Sequence, residues 1–220
     1  MSPRKKKAVI DDEEFLRLVG GHLPEMVQAA ARILERAGAY TVLCPACGPG
    51  KVGAFLARRG FKVTAFDTSS QTVSRATVIA RQVGVKVEHF VDDVVVPHRP
   101  LRRFDALYAG DLLSHVLASQ RQAMLRSCHR ALRQGGVLIV TVMSVEDERY
   151  GSGRPVEPDT FELPFGETLH FYGAQDLHAE LSQLFAVTHM QDLVEMQEHP
   201  GLGHQTYRLL LASAQKVDAD

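Results

Sequence analysis

The 220-residue sequence has three cysteines, no long apolar run, no internal repeat, no low-complexity tract and almost no net charge. So few cysteines, in an odd number, speak against a disulfide framework and for a reducing compartment, so a cytoplasmic location is expected. No apolar stretch reaches the roughly 20 residues a bilayer requires, so no membrane partner is expected. The basic start, Arg4 to Lys7, runs into Asp11-Asp12-Glu13-Glu14 and not into an apolar stretch, so no signal peptide is expected. Residues 1–10 read as a disordered basic tail. A formal net charge of -1 gives the whole chain no nucleic-acid footprint. What remains is an ordinary globular composition, 45% hydrophobic and 23% charged. A single domain over residues 11–220, monomeric or homodimeric, can bury its own core.

Local patterns predict an α/β order. Asp11 with Glu14 reads as a capping box, and a second helix starts at Pro24 with Met26, Ala30, Ile33 and Leu34 on its apolar face. From Thr41 onward short apolar runs alternate with helical patterns, as in a parallel sheet with crossover helices. Strands are expected at Val42-Leu43, Val63 to Phe66, Val85 to Val91, Phe104 to Ala109 and Val137 to Met143. Ser70 and Ser119 read as helix caps. Leu177, Leu181 and Leu184 mark a last helix before two strands, Phe185 to Glu195 and Gln205 to Ala214. Residues 144–173 show no period and contain Gly151, Gly153, Pro155, Pro158, Pro164 and Gly166. They also hold Tyr150, Phe161, Phe165, Phe171 and Tyr172. This composition predicts an ordered lid insertion.

Gly48-Pro49-Gly50-Lys51-Val52-Gly53 fits G-x-G-x-x-G between a strand and a helix. Glycines let the backbone turn tightly against a ligand, and the helix start offers free N–H groups. Asp67, ending the next strand, stands where a carboxylate accepts hydrogen bonds from ribose hydroxyls. Together the two features point to a nucleoside cofactor. A P-loop is excluded, because Val52 follows Lys51 and Pro45 stands where the first glycine belongs.

Val42 to Gly50 and Phe55 to Asp67 resemble the first two motifs of class I S-adenosylmethionine-dependent methyltransferases. Asp92-Asp93, Phe104-Asp105-Ala106-Leu107-Tyr108 and Leu132 to Leu138 are similar to later motifs of the same family. Tyr150-Gly151, Glu157-Pro158 and His170-Phe171 resemble its small tellurite-resistance-like group. The resemblance implies a Rossmann-like, doubly wound, seven-stranded sheet, mostly parallel with an antiparallel strand in a C-terminal hairpin. It implies S-adenosylmethionine as cofactor and a small-molecule methyl acceptor. Ala46, Cys47, Gly48, Pro49 and Gly50 would hold the methionine part, with Gly110 and Asp111 at its end. Asp67 and Thr68 would meet the ribose, and Asp92 and Asp93 the adenine. Two departures stand out: Cys44 occupies the family's usual acidic position, and Ala46 replaces a glycine.

The pair Cys44 and Cys47 forms a C-x-x-C, which fits a redox couple or half a zinc site. With only Cys128 and scattered histidines to complete a site, two buried thiols and no metal are expected. Among the histidines, His170, His199 and His204 flank the lid and the final hairpin. His170, beside Phe171 and Tyr172, is the expected catalytic base; His115 reads as a helix-surface residue. Tyr150, Phe161, Phe171 and Tyr172 are the expected substrate contacts. Two rivals share these motifs: a non-catalytic cofactor-binding protein, motivated by Cys44 and Ala46, and a nicotinamide-dependent oxidoreductase. Four residues between Leu43 and Gly48 speak against the oxidoreductase, since a dinucleotide loop normally leaves its strand directly.

Overall fold

The computed structural model describes residues 11–19, 21, 23–99, 103–164, 166–199 and 203–217, without the side chains of 197–199 and 203. The basic tail, Phe165 and the His199 side chain therefore lie outside the described residues. The chain opens with α1 (Asp12–Leu18) and α2 (Glu25–Arg36). Asp11 caps α1 by accepting the Glu14 amide at 2.7 Å. Then follow β1 (Thr41–Pro45), α3 (Lys51–Arg58), β2 (Lys62–Asp67), α4 (Ser70–Gln82), β3 (Val87–Val91) and β4 (Phe104–Gly110). A 3-10 turn (Leu113–His115) leads into α5 (Ala118–Ala131) and β5 (Leu132–Ser144). Three short strands come next, β6 (Arg154–Glu157), β7 (Thr160–Glu162) and β8 (Thr168–Tyr172). The chain closes with α6 (Ala174–Leu181), β9 (Phe185–His199) and β10 (Gly203–Lys216).

The main sheet runs β3-β2-β1-β4-β5-β10-β9, with β10 antiparallel to both β5 and β9. This is the expected doubly wound sheet. Strands buried on both faces read as continuous apolar runs. Leu43, Phe66, Leu107 and Leu138 pack with Met124 and Leu125 of α5 on one side. Val42, Ala65, Ala106 and Ile139 pack with Ala30 and Leu34 of α2 on the other. Asp105 sets the β1–β4 register: its Oδ2 accepts the Tyr40 and Thr41 amides, and its Oδ1 accepts Arg133 Nε.

Three local expectations are corrected. Ser69, not Ser70, caps α4, because Ser69 is extended and its Oγ accepts the Thr72 amide at 3.2 Å. Ser119 does not cap α5; the helix begins at Ala118, whose amide donates to Glu157 Oε1 of β6 at 2.8 Å. Leu117 is the N-cap residue, its amide donating to Gln120 Oε1 at 3.4 Å, and the distant Glu157 carboxylate adds an acceptor that a local search misses. Residues 144–173 are also more regular than expected: β8 joins the tip of β5 through Met143↔Phe171 and Ser144↔Tyr172, and β7 and β6 follow it as an antiparallel extension.

Candidate active site

The glycine-rich turn leaves β1 with three residues in the left-handed region: Ala46 (φ 50°), Gly48 (φ 53°) and Gly50 (φ 89°). Gly50 is also pressed against α4, where an added Cβ would lie 2.6 Å from Ala76 Cβ. The turn is tied to β2 twice. The Cys47 amide donates to the Phe66 carbonyl at 2.9 Å, and the Gly48 amide donates to Asp67 Oδ2 at 3.1 Å. The other Asp67 oxygen accepts the Ser69 amide at 3.0 Å. Thr68 and Pro49 are exposed beside them.

Two further acceptors stand at the same edge. Asp92, after β3, is buried; its Oδ1 takes the Asp93 and His98 amides, while Oδ2 has no hydrogen-bond partner among the described residues. Asp93 differs, since its Oδ1 accepts the Val95 amide at 2.6 Å and so caps the following turn. At the end of β4, Asp111 is left-handed (φ 56°), and its buried Oδ1 and the buried Tyr108 hydroxyl have no hydrogen-bond partner among the described residues. Gly110 lies between them because the Tyr108 ring occupies the space of a Cβ there, at 2.7 Å. Cys44 is fully buried and burial pushes its thiol up, so the position carries no charge. Burial likewise raises Cys47 to about 11. Both thiols are free, and no described His, Cys, Asp and Glu group is arranged to hold a metal.

Acceptors thus stand in the order Asp92, Asp67, glycine turn, Asp111 along the carboxyl ends of β3, β2, β1 and β4. That edge is where doubly wound sheets bind ligands. S-adenosylmethionine presents donors in a matching order: an adenine amino group, ribose hydroxyls and an ammonium. The orphaned Asp92 and Asp111 oxygens fit the outer two, and Asp67 retains lone pairs for the hydroxyls. A separate hollow of about 890 Å³, lined by Tyr40, Phe61, Lys62, Lys86 and Glu88, opens at the opposite edge.

Beyond β4 lies a polar group that the sequence reading did not assemble. His115 Nε2 is 3.3 Å from Asp111 Oδ2, and its Nδ1 is 3.7 Å from Glu167 Oε1. The Asp111 hydrogen bond, outweighing burial, raises the His115 pKa above its ordinary value. Arg149 grips Asp147 through two bonds of 2.7 and 3.1 Å and lies 4.4 Å over the Tyr207 ring. Partly exposed Met26, Val145, Phe161 and Tyr207 form an apolar wall over buried Met143, Leu169 and Leu209.

His170 is placed differently from the expected base. It is buried, its Nδ1 is 2.8 Å from Thr160 Oγ1, and its ring meets Tyr172 edge-on at 4.4 Å. Burial, helped by Arg121, lowers its pKa to about 4, too low for an effective base at neutral pH. Phe171 and Tyr172, expected at the substrate, are core residues with 1% exposure each. Alternation along β8 sends Phe171 to the Met143 side and Tyr172 toward Glu180, to which its hydroxyl donates. Tyr150 and Phe161 retain exposure; Tyr150 meets Phe161 edge-on and bonds Asp159 at 2.7 Å. His204 is exposed on the final hairpin.

Residues 42–136 match the family described as "Methyltransferase domain". The chain is 31% identical over 122 residues to a ubiquinone biosynthesis O-methyltransferase of Xanthomonas axonopodis pv. citri, covering 55% of this chain and 50% of that one. A protein of the same name from Coxiella burnetii is 28% identical over 109 residues, covering 50% and 46%. The chain thus spans about half the length of these relatives. A solved S-adenosylmethionine-dependent methyltransferase of Methanosarcina mazei superposes with TM-score 0.72 at 22% identity, covering 85% and 98%. The 1,6-didemethyltoxoflavin-N1-methyltransferase of Burkholderia thailandensis, solved with S-adenosylhomocysteine, gives 0.68 at 21%, covering 88% and 79%. These matches support the class and do not single out the tellurite-resistance-like group.

Proposed function

We propose, from the premise that residues 42–136 form a class I methyltransferase domain, that the chain transfers a methyl group from S-adenosylmethionine to the oxygen of a small acceptor with an apolar body. The observation that carries this reading is the row of acceptors from Asp92 through Asp67 to Asp111, two of them with an unpartnered buried oxygen. When bound, the cofactor supplies an electrophilic methyl on a good leaving group, so the protein's work is mainly alignment. Ala46 to Gly50 hold the methionine part, with Gly110 lending close approach. Asp67, with Thr68 beside it, orients the ribose. Asp92 takes the adenine amino group, and Asp93 keeps the Asp92 loop in shape. Asp111 faces the ammonium end, the charge that Cys44 does not provide.

On the acceptor side, Phe161, Val145, Met26 and Tyr207 give an apolar wall, and Tyr150 borders it. With only Arg149 and Arg154 as cations along residues 144–173, this region lacks the basic track a polynucleotide requires. The names of the two relatives favour an oxygen acceptor. No helix among the described residues is long and apolar enough to cross a membrane.

Calorimetry tests the reading. S-adenosylhomocysteine should bind and NAD should not, and label from S-adenosylmethionine should pass to members of a phenol panel. Binding of NAD alone would overturn it. Binding of S-adenosylhomocysteine without transfer to any small molecule would favour a non-catalytic binder.

A further inference from the structure

We propose that His115 takes the proton from the acceptor's hydroxyl, with Asp111 as its positioning residue; this rests on the methyltransferase reading above. The geometry fixes the imidazole from two sides. The left-handed turn at Asp111 is locked by its amide, which donates to the Thr141 carbonyl at 2.8 Å and Oγ1 at 3.0 Å. That turn aims its carboxylate at the 3-10 turn, where Oδ2 meets His115 Nε2. The 3-10 turn is itself held to β5, since Ser114 Oγ accepts the Met143 amide at 2.8 Å. A carboxylate on Nε2–H selects the tautomer whose Nδ1 keeps its lone pair. His115 is 42% exposed, so that nitrogen can meet a ligand.

Glu167 Oε1, 3.7 Å from Nδ1, is beyond hydrogen-bond reach and sits on the half-exposed β7–β8 turn, so an incoming hydroxyl can displace it. Among the described residues, the charged and titratable groups facing this imidazole are Asp111 just after β4, Glu167 from the β7–β8 turn and Arg149 from the segment after β5. Tyr207 of β10 faces the same three groups. Asp111 and Glu167 favour the imidazolium, while burial and Arg149 oppose it, and the net shift is upward. An upward shift makes the imidazole a stronger proton acceptor, as removal of a hydroxyl proton requires.

The surroundings also select the acceptor class. Asp111, Glu167 and Asp147 outnumber Arg149, which is tied to Asp147, so a carboxylate or phosphate acceptor is disfavoured. A neutral phenol or catechol fits: its ring lies along the apolar wall and its hydroxyl meets Nδ1. The O–H proton passes to Nδ1 as the oxygen's lone pair forms the new O–CH3 bond. The methyl–sulfur bond breaks with its electron pair left on sulfur, giving a neutral thioether, and the imidazolium then releases its proton to water.

The test combines an NMR titration with kinetics on the full chain. In wild type the His115 imidazole should titrate above free histidine, and Asp111→Asn should bring it down. Transfer to catechol should fall about 100- to 10,000-fold in His115→Gln, with S-adenosylhomocysteine affinity within twofold of wild type. The wild-type rate should rise with pH through the titration seen by NMR. Transfer by His115→Gln within threefold of wild type, or a titration indifferent to Asp111→Asn, would overturn the proposal alone. Cofactor binding without transfer to any phenol or catechol would overturn the acceptor class. No binding of S-adenosylhomocysteine by wild type would overturn the methyltransferase reading and this one with it.

Discussion

Asp67, the residue proposed to orient the ribose, holds the glycine turn: its Oδ2 accepts the Gly48 amide at 3.1 Å, across 19 residues of chain. Removing the carboxylate therefore acts on cofactor affinity by two routes, lost charge-assisted bonds and a loosened turn. Asp67→Ala should weaken S-adenosylhomocysteine by about 10- to 150-fold, the equivalent of roughly 1.5–3 kcal/mol. Calorimetry measures it, and unchanged affinity with the fold intact would remove Asp67 from the cofactor site.

Gly50 is constrained more tightly than Gly48. At φ 89° any side chain is strained, and its Cβ would lie 2.6 Å from Ala76 Cβ and 2.7 Å from Ala76 Cα. Backbone on α4 must move for it to fit. Gly50→Ala should cost about 2–5 kcal/mol, from overpacking plus the left-handed conformation. That corresponds to a melting temperature lower by roughly 4–20 °C. Gly48→Ala meets nothing within 4 Å and should lose only the conformational part. Equal losses at the two positions would show that contact with Ala76 is not what fixes Gly50.

Ala46 offers the reverse test. It is exposed and left-handed at φ 50°, where an alanine is strained by about 1–2 kcal/mol. Ala46→Gly relieves that strain and gives part of it back through greater freedom of the unfolded chain. The net expectation is a gain of about 0.5–1 kcal/mol, read as a rise of roughly 1–4 °C in Tm. A lower Tm would mean that the methyl group makes a contact worth more than the strain.

The sheet and the glycine turn at its edge were legible because their signals are local. Val137 to Met143 is apolar except for Thr141, and Gly48, Gly50 and Asp67 sit at element ends, where backbone geometry restricts residue type. The polar group around His115 was illegible because it is assembled from afar. His115 reads as a surface residue until Glu167, 52 positions later, is folded beside it. His170, with aromatic neighbours in sequence, drew the catalytic role. Strand alternation instead turns it, with Tyr172, toward Arg121. Residues 144–173 concealed β8 because three short strands interrupted by turns show no period long enough to count.

Cys44 is 1% exposed, so a carboxylate there would be desolvated. Cys44→Asp should lower the stability of the free protein by about 1–3 kcal/mol, the penalty for an incompletely satisfied buried polar group. Saturating S-adenosylhomocysteine brings an ammonium to that edge, so it should raise the Tm of the variant by more than it raises that of wild type. Equal ligand-induced shifts would place the ammonium away from position 44.

His170 links fold stability to pH in a direction that can be worked out. Burial first, and Arg121 second, hold its folded pKa at about 4, below the ordinary imidazole value of about 6.5. Above pH 6.5 the ring is neutral in both folded and unfolded chains and contributes no pH dependence. Between about 6.5 and 4 the unfolded chain binds a proton that the folded chain refuses, so stability falls as pH falls through that window. A group that cannot titrate removes this slope while keeping the hydrogen bond: the Gln amide in His170→Gln can still pair with Thr160 Oγ1. Urea midpoints of wild type and His170→Gln should therefore converge as pH drops from 7 to 4.5, with wild type losing more. Carboxylates titrating in the same range contribute equally to both proteins and cancel in the difference. Parallel curves would mean that the imidazole is protonated in place and that the packing against Tyr172 and Arg121 accommodates its charge.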